Sequence, residues 1–161
     1  HTAIHSFPTR RSSDLLLRDE CRPHGFVTGF LAFLEPSTGR LEYANCGHVP
    51  PLVVGPAGEA VELAEGGPVL GVFAEAAYGS REVTLAPEQV LVLHTDGVSE
   101  ARRAEGEELG SARLAEVVRA GLSRGATSLA GEVVRVARAF TGTDAFEDDF
   151  TLVLVERRAV G

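Results

Sequence analysis

The chain has 161 residues, 44% of them hydrophobic and 24% charged, with 15 basic against 23 acidic side chains and a formal net charge of −8. That length allows one globular domain at most, and so much apolar content, eight Phe included, supplies a core and argues against wholesale disorder. The acidic balance, with a pI near 5.1, argues against a nucleic-acid-binding stripe or an anionic-membrane surface.

All 15 basic residues are arginine, while isoleucine and asparagine occur once each, at Ile4 and Asn45. Lys, Ile and Asn have A/T-rich codons, so the bias reads as a G+C-rich genome. Residues 1–15 do not share it. His5 to Leu15, HSFPTRRSSDL, resembles a translated sequencing adapter codon by codon, so residues 1–15 are expected to be a non-native segment. Residues 1–15 carry no apolar signal-peptide core, and the mostly apolar run at 25–34 is too short to cross a bilayer, so no membrane insertion is expected. Cys21 and Cys46 lack metal-ligand spacing and read as ordinary cytosolic thiols, which places the chain in the cytoplasm.

The run FVTGFLAFL at 26–34, the turn EPSTGR and the run LEYANCG predict a first hairpin. PLVV and AVEL, flanking GPAG, predict a second. EGGPVLGVF holds too many Gly and Pro for a regular element and reads as a loop crossing the domain. REVTL and QVLVLHT, separated by APE, are expected to pair with each other.

The period then changes from two to 3.6. Ser111 is expected to cap a helix with Leu114, Val117, Val118 and Leu122 on one face and Gly125 beyond its end. Thr127 or Ser128 is expected to cap a second, burying Leu129, Val133, Val136 and Phe140. GTDAFEDD reads as a polar loop, and FTLVLVER as a final strand near the centre of a sheet. The predicted class is α+β, a mainly antiparallel sheet system with two consecutive helices before the last strand.

Two acidic sites lie at the ends of strongly apolar strands: Asp96, followed by Gly97, in VLVLHTDGVSE, and Asp148 with Asp149 in FEDDFTLVLV. Carboxylates held on strand rims suit a hard cation, and without nearby thiolates they favour magnesium or manganese over zinc. Each also has a plain reading, as an Asp-Gly turn or a solvated acidic loop.

Taken in order, GFLAFLEPSTGRLEYANCGHVPPL, GGPVLGV, VLVLHTDGVSEARRAEGEELG and FEDDFTLVLVERR resemble the C-terminal part of the PPM-type protein serine/threonine phosphatases, SpoIIE-like bacterial branch, over residues 25–158. The resemblance implies a sandwich of two mainly antiparallel sheets flanked by helices, with the N-terminal part missing, so that residues 16–161 are a C-terminal fragment of the catalytic domain. It implies a dinuclear Mn²⁺ or Mg²⁺ site that hydrolyses phosphoserine or phosphothreonine with a metal-activated water, the two ions clamping attacking and leaving oxygens. Asp96 and Asp148 sit where the family places metal ligands, Asp149 matches a supporting position, and Gly97 serves backbone geometry. Thr151 and Glu100 match motif positions without an assigned role. Implied partners are a phosphorylated protein, such as an anti-sigma-factor antagonist in stress or developmental signalling, and an upstream sensor or receiver domain. Nucleic acid is not among them.

His48 matches a Gly-His-Pro-Pro landmark at a turn and reads either as a turn histidine bonded to backbone or as a proton donor to the leaving oxygen. His94 reads as a strand residue at the sheet margin, and His24 has no companion motif. The two upstream Gly-Asp motifs that supply further ligands in the family are absent, since residues 16–24 contain only Asp19, without a neighbouring Gly. The chain is therefore expected to bind metal weakly and hydrolyse little. The alternative is a pseudophosphatase that docks a regulatory protein, and a third reading is an unrelated acidic α+β domain with ordinary turn aspartates.

Overall fold

The structure, a computed structural model, describes residues 25–158 apart from Glu59 and Ala74. The adapter-like segment, Asp19, Cys21 and His24 lie outside the described residues.

The first hairpin forms as predicted: β1 (Gly29–Leu34) and β2 (Arg40–Cys46) pair antiparallel from Gly29↔Cys46 to Leu34↔Leu41. The turn between them closes through Gly39, whose φ of +77° needs glycine and whose Cβ would meet the Leu85 carbonyl at 2.2 Å. The second hairpin, β3 (Leu52–Val54) with β4 (Ala60–Glu62), also forms. The EGGPVLGVF segment contributes only a two-residue strand, β5 (Gly66–Gly67), parallel to the end of β2.

REVTL and QVLVLHT do not pair with each other. β6 (Arg81–Thr84) joins β2, whereas β7 (Val90–His94) joins β3 and β8 (Leu152–Glu156), so the chain crosses between sheets at Ala86–Gln89. The strands differ in what they must bury. β6 is exposed along most of its length, but Val90, Leu91 and Val92 are buried on both faces of β7 and require a central position. Among the described residues the result is two four-stranded sheets, one in the order β1-β2-β5 with β6 also on β2, the other β4-β3-β7-β8.

Alternation along β7 divides the core. Leu91 faces the first sheet with Leu41, Tyr43, Val53, Leu63 and Leu85. Val90 and Val92 face two helices, against Leu52, Val54, Leu114, Val118, Leu129 and Val133. Each fully buried Leu or Val contributes about 1.5–3 kcal/mol over an exposed one. The α+β sandwich is thus observed, with its helices on the outer face of the second sheet.

A single-turn helix, α1 (Asp96–Ser99), follows β7; α2 (Gly110–Gly121) runs through a 3₁₀ turn at Leu122–Arg124 into α3 (Ala126–Thr141). The expected caps are not used. Leu109 precedes α2, and the Ser111 hydroxyl instead donates to Glu62 Oε1 at 2.8 Å. Gly125, at φ +78°, precedes α3, and Glu156 Oε2 accepts from the Ala126 N–H at 3.4 Å. The buried stripe of α3 is Leu129, Val133 and Ala137, with Val136 beside it and Phe140 half-buried.

β8 is not central: among the described residues it lies at the edge of its sheet, with Val153 50% exposed. Leu152 and Leu154 pack with the helix-facing cluster and Val155 with the Leu91 cluster, so both faces carry apolar residues as they would in a central strand, and sequence alone does not show which edge lacks a neighbour. No helix among the described residues is long and apolar enough to cross a membrane.

Candidate metal centre

Antiparallel pairing brings the two acidic motifs together. His94 is in register with Leu152, so the residues just after β7 lie beside those just before β8. Thr95 fastens the junction: its hydroxyl donates to the Asp149 carbonyl at 2.6 Å and accepts from the Thr151 N–H at 3.0 Å, while its own N–H donates to the Thr151 carbonyl at 3.1 Å. Thr151, which the sequence left without a role, acts here through its main chain. Nothing local in the sequence marks Thr95, because these partners lie more than fifty residues away.

Gly97 serves close approach rather than a left-handed turn. It lies in α1, and a Cβ there would stand 2.6 Å from the Asp149 carbonyl oxygen and 3.0 Å from its carbon. TDG is therefore a strand-to-helix corner packed onto the DDFT backbone.

Asp96 and Asp148 line one cavity of about 290 Å³, together with Gly97, Glu100, Ala101, Arg102 and Glu147. Each aspartate is oriented by its following amide: Gly97 N–H donates to Asp96 Oδ1 at 2.9 Å, and Asp149 N–H to Asp148 Oδ1 at 2.7 Å. That arrangement leaves Oδ2 of each outside the bond. Asp149 contributes its carbonyl to Thr95 and is not part of the cavity wall.

The donors fit a hard divalent cation in kind, being carboxylate oxygens without sulfur or imidazole. In number they are fewer than a closed site requires: among the described residues no group of three or more His, Cys, Asp or Glu is placed to hold an ion. Asp96 and Asp148 are the residues that would hold one wall of it.

His48 is fixed by its backbone. The buried Asn45 side chain accepts from the His48 N–H at 2.8 Å and donates to the His48 and Leu63 carbonyls at 2.9 and 3.2 Å. The chain's single Asn thus holds the NCGHVPP turn, a role its composition did not reveal. His48 does not line the acidic cavity. His94 is the last residue of β7, at the sheet margin as expected, yet it is 2% exposed and neither ring nitrogen has a hydrogen-bond partner among the described residues. Burial first, then the neighbouring His48, push its pKa below the ordinary 6.5, with Glu62 opposing.

The profile of the SpoIIE family, Stage II sporulation protein E, matches residues 10–158. The chain belongs to the SpoIIE family. Among curated proteins it is 30% identical over 132 residues to Protein IcfG of Synechocystis sp., a match covering 82% of this chain and 21% of that protein. The SiaA PP2C domain of Pseudomonas aeruginosa superposes with a TM-score of 0.77 at 21% identity, covering 89% of this chain and 57% of that one. The RsbU and RsbW domains of Rv1364c from Mycobacterium tuberculosis give 0.75 at 21%, covering 98% and 43%. The phosphatase domain of SpoIIE from Bacillus subtilis gives 0.70 at 14%, covering all of this chain and 69% of that one. This SpoIIE-family chain therefore spans about a fifth of its curated relative and about half of the first two structures. At these identities the structural likenesses are of fold, and they agree with the two-sheet sandwich.

Proposed function

We propose that this SpoIIE-family chain is part of a metal-dependent phosphatase acting on phosphoserine or phosphothreonine in a protein, in partner-switching signalling, with an anti-sigma-factor antagonist as the kind of substrate. The observation that carries the reading is the placing of Asp96 and Asp148 on one cavity wall by the Thr95 clamp and the Gly97 contact. When bound, Mn²⁺ or Mg²⁺ supplies a lowered water pKa and charge neutralisation for a phosphoryl group. Relatives of the same fold support the metal: a B. subtilis SpoIIE phosphatase domain was studied after a manganese presoak, and RsbX, at a TM-score of 0.55, in complex with magnesium.

Residues 16–161 are, in this reading, a C-terminal portion of the catalytic domain, and residues 1–15 are foreign to it. Further carboxylates are then contributed by the part of the longer relatives that this chain does not span, and an upstream sensor or receiver domain belongs to the native protein.

The test is hydrolysis of p-nitrophenyl phosphate in manganese. The 161-residue chain is expected to show no turnover. A chain extended with its genomic upstream sequence is expected to turn over, and to lose that activity on Asp96→Ala. Robust turnover by the chain as it stands, abolished by Asp96→Ala, defeats the assignment as a fragment. An intact gene without upstream Gly-Asp motifs favours the pseudophosphatase instead.

A further inference from the structure

The cavity that holds Asp96 and Asp148 is lined by four carboxylates, with Glu100 and Glu147, and by one cation, Arg102. A phosphate monoester dianion entering such a wall meets strong repulsion, which a nearby guanidinium offsets with directed N–H donors.

Arg102 is held at the rim by a short hairpin. Arg102 and Glu108 form a backbone bridge, the Leu109 N–H donates to the Ala101 carbonyl at 2.9 Å, and the Arg103 N–H to the Glu107 carbonyl at 2.9 Å. Its Nε and Nη2 both donate to one oxygen, Glu108 Oε1, at 3.1 and 2.6 Å. A guanidinium carries five N–H donors, so both on Nη1 and one on Nη2 have no partner among the described residues. The pair is half-exposed, with side chains 52% and 45% accessible, and such surface pairs exchange partners at little cost. Its neighbours are committed elsewhere: Arg103 and Arg113 both bind Glu107 and both lie over the Phe140 ring.

We propose that Arg102 binds the phosphoryl oxygens of the substrate monoester at the Asp96 and Asp148 cavity, with Glu108 as the internal counter-ion it leaves. This rests on the phosphatase reading and adds to it a residue that sets affinity for the phosphorylated side chain. The planar fork takes two oxygens at once, and a Lys does not reproduce that.

The experiment measures phosphoserine binding to the full chain by calorimetry, in excess magnesium at constant ionic strength. Arg102→Gln is expected to weaken binding by about tenfold, with Arg102→Lys between it and the parent. Glu108→Gln, which leaves Arg102 in place, is expected to tighten binding. Circular dichroism checks that each variant is folded. Equal affinity in the parent and Arg102→Gln overturns the proposal, as does a parent that shows no saturable binding. Magnesium affinity measured separately in Asp96→Asn isolates the underlying reading. If phosphoserine affinity follows Arg102 while magnesium affinity ignores Asp96, the arginine site stands and the metal assignment falls.

Discussion

The Thr95 hydroxyl donates to the Asp149 carbonyl at 2.6 Å and, with the same oxygen, accepts from the Thr151 N–H at 3.0 Å. One side chain thus joins the end of β7 to the start of β8 and sets the spacing of the two aspartates that flank it. Thr95→Val keeps the shape but leaves a carbonyl and an amide without their partner. The expected loss is about 1–2 kcal/mol, limited because water reaches the site, with Thr95→Ser retaining most of it. Urea unfolding of the three proteins checks this. A Thr95→Val midpoint equal to that of the parent would show that the clamp carries no stability.

Gly97→Ala sets two effects against each other. In an unobstructed helix the change is stabilising by about 0.8–1 kcal/mol. Here the new methyl stands 2.6 Å from the Asp149 carbonyl oxygen, so the DDFT backbone has to move, at about 1–3 kcal/mol. The clash wins, and the variant is expected to be less stable and to bind Mn²⁺ more weakly. Gly131→Ala is the control, because that helical glycine has nothing within 4 Å, and thermal melting should rise for it while falling for Gly97→Ala.

Asn45 offers its amide to two carbonyls and its oxygen to the His48 N–H while 2% exposed. Asn45→Asp replaces the donor with a third acceptor facing those carbonyls. A loss above about 2 kcal/mol at neutral pH is expected, since a buried carboxylate retains only the His48 N–H and turns its second oxygen toward two carbonyl oxygens. Chemical denaturation measures it, and a near-neutral result would mean the NCGHVPP turn opens to solvent.

His94 makes stability depend on pH. Its folded pKa lies below 6.5, chiefly through burial and next through His48, against the opposing Glu62. The unfolded chain therefore takes up a proton that the folded chain refuses, so the contribution is complete above the ordinary value and declines as pH falls below it. The slope for one proton is at most about 1.4 kcal/mol per pH unit. His94→Phe should flatten the fall in unfolding free energy between about pH 7.5 and 5.5. An unchanged slope would assign the acid sensitivity to other groups.

Much of this architecture is legible in the residues. Alternation and Gly-bearing turns locate both hairpins, and the apolar run of Val90, Leu91 and Val92 marks a strand without naming its partners. The acidic motifs are visible because each abuts such a run. What escapes is set by distant partners. APE has the same turn chemistry whether a chain reverses within a sheet or crosses to another, and only the surroundings of β6 decide. Ser111 is a good cap residue, but Glu62, nearly fifty positions earlier, claims its hydroxyl. The apolar run of β8 is equally compatible with the middle or the edge of a sheet. Within the site, Asp96 and Asp148 can be read locally, whereas Thr95 takes its role from backbone groups brought near by the fold.

The Thr95 to Thr151 junction has a kinetic consequence. All of α1, α2 and α3 lies between its two ends, so the clamp closes a long chain segment onto itself. Closing such a loop costs entropy that is recovered only when the helices dock on β3, β7 and β8, which makes this a late contact in folding. The aspartates come onto one wall only once β7 and β8 have paired. A divalent ion held by Asp96 and Asp148 would bind the native state alone and slow its unfolding, turning metal release into a clock for the opening of the helical layer.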